Sequence, residues 1–190
     1  MSEQGFVEQL VANPGVAGTS FGTFTTAKTV IPATSLITLP ANYFKIGKAL
    51  EIDVWGGVGT LVTTPGTITF QVMIGAAIAW TSGAIQLNAT AHTDLPFHLA
   101  IKLVCRTIGS GTSATLMGMG EIGGVMFTRT AGQVDGVNSA TILEVPATTP
   151  AVGAGFDSTI ANILDFFAGF SISNAANTVT VDMYTVKSIN

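Results

Sequence analysis

The stretch Phe97–Glu121, FHLAIKLVCRTIGSGTSATLMGMGE, decides the fold that this sequence predicts. In its first half, apolar side chains recur at every second position: Leu99, Ile101, Leu103 and Cys105. A period of two is typical of a β-strand with one buried face. The turn-forming run Gly109–Ser113 follows, and the strand pattern resumes over Ala114–Glu121. We therefore predict a β-hairpin with a polar loop.

The rest of the chain from Ser20 onward also has a strand pattern, in short segments separated by turn residues. The clearest segments are Ala49–Trp55, Thr67–Ile74, Ala77–Trp80, Ala84–Leu87, Ile163–Ile172 and a last strand, defined by Val179, Val181 and Met183, that runs nearly to Asn190. Gly56–Gly59 is expected to end the strand before it, and Asn88–Pro96 is expected to be a loop.

Strands of this number and length predict an all-β domain over residues 19–190. The fold class we expect is an antiparallel β-sandwich of the jelly-roll type, with two packed sheets of about four strands each. An immunoglobulin-like sandwich is the second choice, but it needs only about 100 residues.

Residues 1–18 differ from the remainder and are interpreted as an N-terminal arm. Phe6, Val7, Leu10 and Val11 have helical spacing. Such a short helix is not stable alone. Two interpretations stay open: a loosely packed terminus, or an arm that lays these four apolar side chains on a partner.

The composition combines much apolar surface with little charge. Apolar residues make up 47% of the chain and charged residues 9%, whereas a soluble domain usually has about 25% charged residues. The mean hydropathy is +0.55. Such a surface suits a protein whose apolar patches are covered by neighbouring subunits, and it also suits a secreted β-protein.

Charge and segment length argue against several classes of protein. The seven Lys and Arg residues are scattered singly and the net charge is −4, so nucleic acid is not an expected partner. The longest apolar run, Val72–Trp80, is far shorter than the roughly 20 residues of a membrane-spanning helix. Membrane insertion and a signal peptide are therefore not expected. A single cysteine excludes an intrachain disulfide.

Two motifs suggest chemistry weakly. Gly118–Gly123 matches G-x-G-x-x-G, but a strand-like run follows it instead of a helix. We expect its glycines to allow close approach of strands. His92 and His98 with Asp94 between them lack a third strong metal ligand nearby, so no metal and no cofactor is predicted.

Aromatic and acidic residues give one further candidate. Glu51, Asp53 and Trp55 lie on one face of their predicted strand. Paired carboxylates occur in enzymes that cleave sugars, and an aromatic ring stacks on sugars in binding modules. The simpler interpretation is the solvent face of a half-buried strand. Trp80 is either an exposed loop aromatic or a residue at the edge of the core.

Four phrases and the final strand together resemble a group of tailed-bacteriophage virion structural proteins. They are the runs 39–50 (LPANYFKIGKAL), 62–70 (VTTPGTITF), 103–109 (LVCRTIG), 150–159 (PAVGAGFDST) and 181–190. The likeness covers the chain from about residue 20 and leaves the arm outside. No catalytic motif of the group transfers to this sequence.

The resemblance implies a non-enzymatic virion component, such as a capsid decoration, capsid-fibre or spike subunit. It would form a closed homo-oligomer, expected to be a trimer, and would contact other virion proteins such as the major capsid protein. The alternative is a tail-fibre or baseplate module that binds a carbohydrate receptor through Trp55, Trp80 or loop residues. A third class, a cupin-type or glycosidase-type enzyme, would need a metal or paired carboxylates in one cavity.

Overall fold

The computed structural model describes residues 7–11, 21–61, 63–128 and 142–189. They form two antiparallel sheets packed against each other, which confirms the predicted β-sandwich. Within these ranges the one helical element is a 3-10 turn, Ala33–Ser35. They contain no helix with the length and apolar character needed to cross a membrane.

The first sheet contains the long strands. Its described members are β1 (Val7–Val11), β2 (Phe21–Gly22), β5 (Ala49–Thr60), β9 (His92–Thr107), β10 (Thr115–Gly123), β12 (Ile142–Val145) and β14 (Thr178–Ile189). Their order across the sheet is β1-β14-β5-β9-β10-β12, and β2 also pairs with β14.

The second sheet is built around one central pair. Its described members are β3 (Lys28–Thr29), β4 (Ile37–Leu39), β6 (Thr67–Ile74), β7 (Ala77–Thr81), β8 (Ile85–Leu87), β11 (Phe127–Thr128) and β13 (Asn162–Phe170). Their order is β11-β8-β6-β13-β3, with β4 on β13 and β7 on β6. Strand β6 has the bounds predicted from its alternation.

Four strand pairs are nested along the chain. In sequence, the paired strands β6 and β8 lie between β5 and β9, which also pair with each other. These strands lie between the paired strands β3 and β13, which in turn lie between the paired strands β2 and β14. All four pairs are antiparallel, and successive pairs alternate between the two sheets.

The predicted central hairpin is confirmed. Strands β9 and β10 pair in antiparallel register from Thr107↔Thr115 to His98↔Gly123. The alternating residues of β9, from Leu99 to Cys105, are buried as predicted. Burial raises the pKa of the Cys105 thiol, so this cysteine is a core residue and not an activated nucleophile.

Aromatic rings join the two sheets at the centre of the core. Phe97 of the first sheet stacks on Phe70 of the second, with ring centroids 5.4 Å apart. Phe70 stacks on Phe166 at 5.7 Å, and Phe166 lies 6.1 Å from Tyr184 of the first sheet. All four side chains are fully buried, and truncating one such Phe typically costs about 3–5 kcal/mol.

Two predicted strand boundaries were wrong. Strand β5 continues through Gly56–Gly59 to Thr60, because these glycines let neighbouring backbone approach. A Cβ on Gly56 would lie 1.9 Å from the carbonyl oxygen of Thr180. Strand β9 begins at His92 inside the predicted loop, because the extended β5 gives its first residues a partner.

The helical conformation predicted from the spacing of apolar residues in the arm was also wrong. Val7–Val11 is an edge strand paired with the last strand, from Val7↔Ile189 to Val11↔Val186. Pairing with β14 supplies the hydrogen bonds that a short isolated helix could not hold, and a strand places Val7 and Leu10 on opposite faces. Phe6 lies outside the described residues.

A glycine-containing segment, residues 152–156, connects the edges of the two sheets. The Gly153 N–H donates to the Leu116 carbonyl of β10 at 2.9 Å, and the Ala154 N–H donates to the Ile78 carbonyl of β7 at 2.8 Å. A Cβ on Gly153 would lie 1.9 Å from the Ala79 carbonyl oxygen. Only glycine fits this approach without moving backbone.

We expect Gly153→Ala to destabilise the fold by about 1–3 kcal/mol, because backbone must shift to admit the methyl group. Chemical denaturation of the variant against wild type measures this loss. Ala154→Ser, an exposed position in the same segment, is the matched control and should stay within about 0.5 kcal/mol. Equal stability of Gly153→Ala and wild type would contradict the close approach.

Candidate functional site

The outer face of the first sheet brings together residues from four strands. Register places Met183, Trp55, His98 and Gly123 in one row across β14, β5, β9 and β10. The next row contains Asp53, Ala100, Glu121 and Glu144, and the third contains Lys187, Glu51, Lys102 and Met119. The predicted shared face of Glu51, Asp53 and Trp55 is therefore confirmed.

Trp55 has a defined orientation although it is 44% exposed. Its indole stacks on the His98 imidazole with ring centroids 4.0 Å apart and an interplanar angle of 15°. His98 Nε2 lies 2.9 Å from Asp53 Oδ1, within hydrogen-bond distance. The three side chains form a connected unit in which the carboxylate positions the imidazole and the imidazole supports the indole.

An open groove of about 440 Å³ adjoins this unit. Its lining comprises Glu51, Ile52, Asp53, Ala100, Ile101, Lys102, Met119, Gly120, Glu121 and Glu144. Ala100 is small, so the larger side chains on either side of it form the walls of the groove. Trp55 and His98 are not in the lining, but Asp53 connects them to it.

The groove is rich in carboxylates. Lys102 Nζ lies 3.5 Å from Glu51 Oε1, and both side chains are well exposed, so this pair adds little stability. Glu121 lies directly opposite Glu144 across β10 and β12. Facing like charges are unfavourable in a sheet. No cation is recorded within ion-pair distance of either glutamate in the described part of the chain.

Trp80 does not reach the surface. It is 3% exposed and packs between the sheets, where a Cβ on Gly118 would lie 2.3 Å from its Cδ1 atom. The suggestion of Trp80 as a surface recognition residue is therefore wrong, because β7 turns this side chain inward. The glycines at 118 and 120 allow close approach, as predicted for the G-x-G-x-x-G stretch.

The two histidines have separate partners. His92 Nε2 lies 2.8 Å from Asn88 Oδ1, whereas His98 is engaged with Asp53 and Trp55. Across the described ranges, His, Cys, Asp and Glu side chains form no group of three or more that could hold a metal ion.

The candidate residues of the arm are only partly placed. Val7 is 65% exposed at the sheet edge, and Leu10 packs against the core. Val11 is placed by its backbone pairing with Val186. Val7 and Leu10 therefore do not share one apolar face.

A second surface lies where three loops meet at one end of the sandwich. Ser158 ties them together: its N–H donates to the Gly109 carbonyl at 2.9 Å, and its carbonyl accepts from the Asn42 N–H at 2.8 Å. Each loop presents one exposed isoleucine: Ile46 (70%), Ile108 (47%) and Ile160 (54%). We call these three residues the isoleucine end.

The sequence did not reveal that His98 supports Trp55, that Glu121 and Glu144 form walls of the groove, or that the isoleucine end exists. Strand register was needed to find His98, Glu121 and Glu144, because they are far from Trp55 in the chain. The isoleucines carry no periodic signal in their loops, so only tertiary hydrogen bonds show that they lie together.

Comparison with known proteins identifies no family for this chain. No protein-family model matches it, and no curated protein matches it significantly.

Asp157 holds the loops next to the isoleucine end. Its Oδ1 accepts from the Thr159 hydroxyl at 2.6 Å and the Thr159 N–H at 2.8 Å, and its Oδ2 accepts from the Gly111 N–H at 2.9 Å. The Thr159 side-chain hydrogen bond and the two backbone hydrogen bonds lower the pKa of Asp157.

We expect Asp157→Asn to lower the melting temperature at pH 7, and the difference from wild type to shrink on acidification. Because the folded pKa is below the unfolded value of about 3.9, the contribution is present above that value and is lost as pH falls through the folded pKa. Thermal unfolding between pH 2 and 7 measures it, and Thr159→Ala removes only the hydrogen bond from the Thr159 hydroxyl to Asp157. Equal melting temperatures at pH 7 would refute the contribution.

Proposed function

We propose that this chain is a non-enzymatic structural subunit of a tailed-bacteriophage virion, a capsid decoration, fibre or spike component. Its action is association: copies form a closed homo-oligomer that docks on other virion proteins such as the major capsid protein. The resemblance of its sequence phrases to such proteins motivates the virion assignment.

The jelly-roll interpretation belongs to this proposal. It is supported by the nesting of β6–β8 inside β5–β9, β3–β13 and β2–β14, with successive pairs in opposite sheets. Two sheets formed by wrapping nested antiparallel pairs are the arrangement that a jelly roll requires. The pairing of β10 with β12 extends the first sheet beyond these pairs.

The isoleucine end is the observation that carries the proposal. Three of the phrases with phage likeness converge there: 39–50 contains Ile46, 103–109 contains Ile108, and 150–159 contains Ser158 and ends beside Ile160. Large apolar side chains held rigidly in solvent mark a contact surface. The shared phrases and the exposed isoleucines therefore coincide in space.

A second copy of this chain is the partner we assign to the isoleucine end. With 18 charged side chains in 190 residues (7 Lys and Arg, 11 Asp and Glu), copies repel one another weakly. In a closed trimer, equivalent residues of the three copies meet around the three-fold axis, so an apolar end placed on that axis is covered. The exposed Val7 on the edge strand β1 is available for the neighbouring virion protein, in keeping with the predicted arm.

We expect wild-type protein to have a molar mass in solution close to three times the 19.5 kDa of one chain. The double variant Ile46→Asp/Ile108→Asp should be monomeric, because buried unpaired carboxylates are costly in an apolar contact. Size-exclusion chromatography with light scattering measures both.

Ile78→Asp, an exposed isoleucine on β7, is the matched control and should keep the wild-type mass. A monomeric wild type would contradict self-association. An oligomer that persists in the double variant would remove the isoleucine end from the contact.

A further inference from the structure

We infer that the groove on the outer face of the first sheet binds a neutral oligosaccharide, with Trp55 as the stacking platform. This binding activity goes beyond the proposed structural role and does not depend on it, because the groove and the isoleucine end use different residues.

The platform is preorganised. His98 covers one face of the Trp55 indole at a centroid distance of 4.0 Å, and Trp55 is still 44% exposed. An exposed aromatic ring with a polar edge suits the face of a pyranose, which is apolar in its C–H groups and polar in its rim. The ring is already fixed, so little side-chain entropy is lost on binding.

Hydrogen-bonding groups of both kinds lie beside the platform. Asp53, one row along β5 from Trp55 and therefore about 7 Å away along the strand, provides carboxylate oxygens. Glu121 and Glu144 provide more acceptors, and the Lys102 ammonium provides donors. Sugar hydroxyls both donate and accept, so a mixed set of this kind matches them.

The volume of the groove and the rigid strands that form it suit a small ligand. A volume of about 440 Å³ lies within the range of about 300–1,000 Å³ of small-molecule sites. The lining residues stand on paired strands, mainly β5, β9 and β10, which position them more rigidly than loops would.

The charged residues that line the groove determine which class of glycan it can bind. Glu51, Asp53, Glu121 and Glu144 line the groove with a single cation, Lys102, so a sialylated or phosphorylated sugar would be repelled. A basic peptide fits less well, because two of the four carboxylates already have partners, Glu51 with Lys102 and Asp53 with His98. A neutral oligosaccharide satisfies the acceptors without needing a compensating charge.

The test uses the full-length chain on an array of neutral hexose and N-acetylhexosamine oligosaccharides, with their sialylated forms and with lysine-rich peptides, followed by titration calorimetry on the strongest glycan. We expect neutral glycans to bind and sialylated forms to bind at least about tenfold more weakly. Trp55→Ala should weaken binding about tenfold or more, and Glu121→Gln by less.

Trp55→Phe, which keeps a stacking ring, should bind better than Trp55→Ala. Ile78→Ala, on the opposite sheet, is the matched control and should bind like wild type. Thermal melts confirm that the exposed substitutions stay folded. Absence of neutral-glycan binding, binding that Trp55→Ala leaves unchanged, or Trp55-dependent binding of lysine-rich peptides alone would overturn the inference.

Discussion

The structure depends on the stacking of Phe97, Phe70 and Phe166 between the two sheets, with centroid distances of 5.4 and 5.7 Å. These rings fix which face of β6, β9 and β13 points inward, since a strand alternates its faces. A shift by one residue would bury the outer-face carboxylates and expose the core. The groove and the isoleucine end are therefore consequences of core packing, and the core residues Ile52 and Ile101 also form part of the groove lining.

At two glycines, the backbones of neighbouring segments approach so closely that a larger side chain would not fit between them. Gly153 allows residues 152–156 to bond to both β10 and β7, and Gly56 allows β5 to run beside Thr180. The loops at the isoleucine end are similarly held, by hydrogen bonds to Ser158 and Asp157. Rigid loops that keep isoleucines in solvent, on a chain with so few charges, favour a protein whose function is association.

The sequence correctly predicted the features that depend on the alternation of apolar residues within one strand. It did not predict the features that depend on which segments pair with each other. The β9–β10 hairpin, the bounds of β6 and the presence of a strand at Ile163–Ile172 follow from a period of two. Val7–Val11 has helical spacing, but β14 provides a strand partner for it. The glycines after Trp55 look like a strand end until Thr180 is seen beside them. Trp55 could be placed on an exposed face from its neighbours in sequence, whereas burial of Trp80 and support of Trp55 by His98 required the tertiary structure.

If this chain is the structural virion component that we propose, it must be present in mature particles. Quantitative mass spectrometry of purified phage particles measures this directly, as the copy number of the chain relative to the major capsid protein. We expect a copy number comparable to that of the capsid protein. Absence of the chain from purified particles would contradict the proposed virion role.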